Sequence, residues 1–138
     1  MTMYPINLHI PSEKDWRSYP WDFDTESAYK TFHGKSLAEA RAVFKSNAFY
    51  YLEELTHMPS RCFQYYLNAY LDYILSDESR GESGGASSLF YTVEARIQEF
   101  ADYEELRQRT CESLTQIALR QEEWYDASED IYGGVVPF

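Results

Sequence analysis

The chain reads as a single all-α domain, and three observations carry that expectation. Apolar residues recur at three and four between Phe63 and Ile74, the spacing of one helix face. Serine and aspartate stand where helix starts are expected, most clearly in the capping box Ser36-Leu37-Ala38-Glu39. No segment alternates apolar and polar residues as a half-buried strand would. The length of 138 residues fits one domain, 1–138. An apolar content of 44% is enough for a self-sufficient core and excludes disorder of the whole chain. The expected architecture is four main helices plus short helices, preceded by an extended N-terminal arm.

Residues 1–24 form that arm. Pro5, Pro11 and Pro20 disfavour helix at the residue before each. Trp16, Trp21 and Phe23 are its expected anchors on the body. A short helix over Thr25 to His33 follows, with Asp24 as its cap and Gly34 as the left-handed residue that ends it. Ser36 opens the next helix, with Leu37, Ala40 and Phe44 on one face. Ser46-Asn47 interrupts, and Ala48 to Thr56 holds another short helix patterned by Phe49, Leu52 and Leu55.

The clearest helix starts near Pro59, a good first-turn residue. Phe63, Tyr66, Leu67, Tyr70, Leu71 and Ile74 form its core stripe, with Tyr65 and Tyr73 flanking. Residues 77–88 are polar and rich in Gly and Ser, the composition of a flexible loop. Ser88 then caps a helix carrying Phe90, Val93, Ile97 and Phe100. Asp102 caps the last helix, where Leu106, Thr110, Leu114, Ile117, Gln121 and Trp124 keep helical spacing. Residues 127–138 read as a tail. The predicted core is Phe44, Phe63, Leu67, Leu71, Val93, Ile97, Leu114 and Ile117.

Twenty-three acids against twelve bases give a formal charge of −11, which disfavours direct binding of nucleic acid. The excess is steepest after residue 88, where eleven acids face four bases. A negative surface of this kind keeps a protein soluble and steers basic partners towards it. The start lacks a basic stretch followed by an apolar run, and no segment approaches the ~18 apolar residues of a membrane span. A cytoplasmic protein with no membrane partner is therefore expected.

The motifs of chemistry are weak. Cys62 and Cys111 have neither disulfide-framework nor zinc spacing and read as buried thiols. Gly81-Glu82-Ser83-Gly84-Gly85 matches the nucleophile elbow, but that motif needs a strand before it, and the residues before it are patterned as a helix. Glu53 and His57 share a helix face at i, i+4 and supply only two metal ligands. No catalytic, metal or cofactor residues are nominated, and an enzyme is not expected.

His33-Gly34-Lys35-Ser36-Leu37-Ala38-Glu39-Ala40, Tyr50-Tyr51-Leu52-Glu53-Glu54-Leu55 and Met58 to Leu71 resemble a group of small bacterial helical proteins of unknown function. That group carries a Phe-x-Tyr-Tyr-Leu helix, here Phe63 to Leu67, and the likeness spans about residues 32–75. It implies a helical fold and transfers no catalytic residue. The size and acidity also resemble immunity proteins of bacterial toxin systems. That likeness implies a cognate protein toxin with a basic surface as the partner. The expected contact residues are Glu112, Glu122, Glu123, Trp124, Tyr125, Asp126, Glu129 and Asp130, where aromatic side chains stand among acids. Two other functions fit the composition: a mobile-element inhibitor or nucleic-acid mimic, and a small ligand-binding module or enzyme with a tyrosine-lined pocket.

Overall fold

The computed structural model describes residues 9–18, 21–76, 79, 85–101 and 103–125, with 85–87 and 120–125 described by backbone alone. Seven α-helices occupy the described residues: α1 Glu13–Arg17, α2 Phe23–Phe32, α3 Leu37–Ser46, α4 Ala48–Thr56, α5 Ser60–Ile74, α6 Gly85–Ala95 and α7 Glu104–Tyr125. A 3-10 helix, Ile97–Phe100, joins the last two. There is no strand among the described residues, so the class is all-α. Of the two segments expected as short helices, α2 equals α3 at ten residues and α4 is one residue shorter.

The core is organised around α5. Every residue of this helix is buried except Ser60, Arg61 and Asp72. A helix buried nearly all round is central, unlike the one-sided stripe of a surface helix. Tyr65 and Tyr73 are therefore inside, where flanking positions were expected. Tyr66 is buried, and its hydroxyl shares one proton between the carbonyl of Phe32 at 2.7 Å and that of Lys35 at 2.9 Å. This contact fastens the α2–α3 turn to α5. On the opposite side, Arg109 of α7 donates to Asn68 and to Asp72. The amide of Asn68 also donates to the Gln64 carbonyl at 2.9 Å, so this polar group inside the core is satisfied.

Local capping explains most boundaries. Ser36 and Glu39 form the expected capping box of α3. Gly34 ends α2 with φ +76°, a conformation that L side chains resist. The start of α2 lies two residues before the expected one, because the carboxylate of Asp22, and not that of Asp24, accepts from the Thr25 N–H at 2.8 Å. Pro59 is the N-cap of α5.

Several expectations are corrected. The arm is not wholly extended: Ser12 and Asp15 form a capping box that starts α1. Trp16 is fully buried and meets Tyr29 edge-on at 5.5 Å, and Trp21 meets Tyr29 at 5.3 Å. Phe23 is no anchor; it is 86% exposed, because the earlier helix start turns it outwards. Residues 85–88 belong to α6 and not to a loop, so Ser88 lies inside the helix and does not cap it. Ser79 is buried, with its hydroxyl donating to the Ile74 and Ser76 carbonyls. Ile97 is 47% exposed and leaves the core list, because α6 stops at Ala95 and the tighter 3-10 turn rotates it away. The other seven predicted core residues are buried. Residues 77–78 and 80–84, Asp102 and the tail 127–138 lie outside the described residues.

Candidate functional site

The predicted contact residues are only partly described. Glu112 is exposed on α7 and lines a groove of about 840 Å³ with Ile97, Phe100, Ala101, Arg107, Gln108 and Cys111. Arg107 stands in the same groove, 3.5 Å from Glu104, so the groove is not uniformly negative. Glu122, Glu123, Trp124 and Tyr125 occupy the C-terminal end of α7, described by backbone alone, and Asp126, Glu129 and Asp130 lie outside the described residues.

A different surface assembles around α4. Asn47 caps this helix, its side chain accepting from the Tyr50 N–H at 3.3 Å. Ala48, Leu52 and Leu55 then fall on the buried side, at i, i+4 and i+7. Phe49 is one position, about 100°, off that stripe and faces water with Tyr50 and Glu53. Phe49 is 71% exposed and Tyr50 52%. The expected placement of Phe49 with Leu52 and Leu55 is thus wrong by one helical position.

Across from Phe49, Tyr91 of α6 is also 71% exposed. Phe49, Leu52, Glu53, Thr56, Ser88, Tyr91 and Thr92 line a cavity of about 290 Å³ between α4 and α6. Thr56 donates to the Leu52 carbonyl at 3.1 Å and lies 3.4 Å from the Thr92 hydroxyl. Glu94, exposed, follows Tyr91 by three positions and shares its side of α6.

Arg96 holds the two helices in this relation. Its guanidinium donates to the carbonyls of Thr56 at 2.9 Å and Met58 at 2.6 Å, and to Glu99 at 2.9 Å, and packs 4.5 Å over Phe63. Glu99 also accepts from Ser60 at 2.8 Å and Gln64 at 3.2 Å. Burial works to raise the Glu99 pKa, but the hydrogen bonds from Arg96 and Ser60 outweigh it and hold the carboxyl below its ordinary value. The cation of this network is turned into the protein, so the acids outside are not neutralised by it.

On its other flank α4 meets α2. Asp24, Ser27, Tyr50, Glu53, Glu54 and His57 line a second cavity, of about 250 Å³. Thr25 lies 3.4 Å from the His57 carbonyl, which ties the start of α2 to the end of α4. Phe23 stands one turn before Ser27 on the same side of α2. Glu53 and His57 do share a helix face and this cavity, as their spacing predicts. Among the described residues no group of three or more His, Cys, Asp or Glu is placed to hold a metal ion.

The interior tyrosines are buried. Tyr65, Tyr66, Tyr70 and Tyr73 are at most 3% exposed, and the tyrosines lining the cavities on either side of α4 are the surface pair Tyr50 and Tyr91. Fold and site together describe an all-α chain with an aromatic-and-acid face built from α2, α4 and α6. Comparison with family models, with curated proteins and with solved structures found no match. No described helix is long and apolar enough to cross a membrane.

Proposed function

We propose that this chain is a cytoplasmic immunity protein that binds and neutralises a cognate bacterial toxin carrying a basic surface. The observation that carries this reading is the pair Phe49 and Tyr91. Two large aromatic rings, each 71% exposed, flank one cavity and have Glu53 and Glu94 beside them. Tight protein interfaces centre on aromatic anchors with a polar rim, and complementary charge speeds their encounter. The net charge of −11 suits a basic partner. The exposed acids of the described residues stand on six helices, α1 to α4, α6 and α7, which favours a local docking face over one phosphate-like row. The resemblance of the chain to toxin-system immunity proteins points the same way.

The test is co-expression with the product of the adjacent open reading frame. The expected result is a toxic neighbour, rescue by this chain, and a complex that co-purifies. Phe49→Ala and Tyr91→Ala should each weaken the complex by about 2 kcal/mol, roughly thirtyfold, the scale of an aromatic hot spot. A harmless neighbour, or a complex that ignores both substitutions, overturns the reading.

A further inference from the structure

The cavity between α2 and α4 is lined by a glutamate whose carboxylate the fold serves on one oxygen only. Glu54 is 8% exposed. Its Oε1 accepts from the Ser27 hydroxyl at 2.6 Å, while its Oε2 is buried without a hydrogen-bond partner. Among the described residues no lysine or arginine pairs with it. Buried carboxylates are ordinarily paired, and one left half-served is an incomplete site. The rest of the lining is Ser27, Tyr50, His57 and two more carboxylates, Asp24 and Glu53. Such a lining repels anions and favours a cation.

The geometry also selects the kind of cation. A guanidinium takes a carboxylate through both oxygens as a planar fork. Ser27 already occupies one oxygen of Glu54. A primary ammonium is a compact charge that needs a single oxygen and has two further N–H groups for Tyr50 and a second carboxylate. The volume of about 250 Å³ accommodates the four-carbon stem as well as the head, since a water claims only about 30 Å³.

We propose that the α2–α4 cavity receives a lysine side chain of the partner protein, with Glu54 as the charge acceptor. This rests on the reading of the α4 face as a docking surface for a basic protein. Glu53 lines both this cavity and the α4–α6 cavity, so a partner seated on Phe49 and Tyr91 has the lysine receptor beside it.

The test titrates the full chain with Nα-acetyl-lysine N-methylamide and follows backbone amide shifts by nuclear magnetic resonance. Parallel titrations use the arginine analogue and n-butylammonium. The lysine analogue should saturate shifts at Ser27, Tyr50 and Glu54. Glu54→Gln, which preserves shape and the Ser27 contact, should weaken it about tenfold, the loss of one charge-assisted contact. Asp24→Asn, at an exposed position, should weaken it less and keeps the test open if Glu54→Gln fails to fold. Glu26→Gln removes the same charge from elsewhere on α2 and should change nothing. Equal binding of the arginine analogue, or indifference to Glu54→Gln and Asp24→Asn, overturns the proposal. Tighter binding of n-butylammonium than of the lysine analogue also overturns it, by assigning the cavity to free amines. A partner that binds through Phe49 while the lysine analogue leaves Glu54 untouched overturns this inference alone. A lysine analogue that binds where no basic partner does overturns the docking reading and leaves the receptor chemistry standing.

Discussion

Replacing Arg96 with alanine tests the joint on which the α4–α6 face depends. The arginine side chain is 10% exposed and its partner Glu99 14%. The substitution removes three donated hydrogen bonds, two of them to the carbonyls of Thr56 and Met58. It also removes the cation over Phe63 and leaves Glu99 with only Ser60 and Gln64. Breaking a buried ion pair from one side costs about 3–5 kcal/mol, because the remaining charge stays buried. Ser60 and Gln64 continue to serve Glu99 and some water reaches it, so the lower end, about 3 kcal/mol, is expected. Against a domain stability of about 5–15 kcal/mol this is a large fraction. It should lower the unfolding temperature by roughly 10 °C. Urea unfolding followed by circular dichroism reads the change directly. Because most of the loss is the stranded charge, Arg96→Ala combined with Glu99→Gln should recover at least ~1 kcal/mol relative to additivity. Arg96→Lys keeps the charge but not the fork and should fall between the two. An Arg96→Ala protein within ~0.5 kcal/mol of the parent, or a cycle with no coupling, refutes the account of this joint.

Other outcomes follow from the same structure. The carboxyls of Asp22, Glu39 and Glu99 are held below their ordinary values, the first two chiefly by backbone N–H groups of Thr25 and Ser36. Their contribution is complete above the unfolded values, about 4, and is lost as pH falls through the lower folded ones. Stability measured by urea unfolding should therefore decline below about pH 5, and Glu39→Gln should flatten that slope; a parent stability that rises on acidification contradicts it. Gly34→Ala meets no atom within 4 Å, so its cost is backbone strain at φ +76°, about 1 kcal/mol by thermal unfolding. A stabilised variant would mean that the turn relaxes to negative φ. Burial pushes both thiols above their ordinary values, Cys62 the more deeply placed. A thiol reagent at pH 8 should label Cys111 first and Cys62 only at the rate of global opening; simultaneous labelling would place Cys62 at the surface.

Short-range chemistry was legible around the α2–α3 turn, although the equally local capping box at Ser12 and Asp15 was missed. The capping box at Ser36 and Glu39 and the left-handed Gly34 close their hydrogen bonds or steric needs within a few residues, so neighbours in the chain suffice to infer them. The misplaced apolar residues are Phe23, Phe49 and Ile97. The earlier start of α2 turns Phe23 outwards and the 3-10 turn after α6 turns Ile97 outwards, while Phe49 follows the buried Ala48 by one position. A shift of one position turns a side chain about 100°, enough to move it from the core to water. In α4 a usable signal existed, since Ala48, Leu52 and Leu55 already complete a stripe without Phe49. In α2 the competing caps Asp22 and Asp24 are chemically equivalent, and only the folded turn chooses between them.

The candidate site was hardly legible. Its parts come from residues 23–27, 49–57 and 88–94, and nothing in their spacing announces that they meet. Acid density drew attention to the end of α7 instead, because charge counts along a chain carry no information about direction.

The amino-acid sequence by itself determined the all-α class, the helical segments from α2 onwards, the caps at Ser36 and Gly34, the negative charge and the apolar stripe of residues 63–74, since these follow from composition, periodicity and local hydrogen bonding. Tertiary structure alone decided that α5 is enclosed on nearly all sides, that Arg96 clasps the end of α4, that Phe49 and Tyr91 stand together in water, and that Glu54 is half-served on the other flank of α4. Those features depend on which helix packs against which, and packing brings together residues whose separation along the chain says nothing about their distance in space.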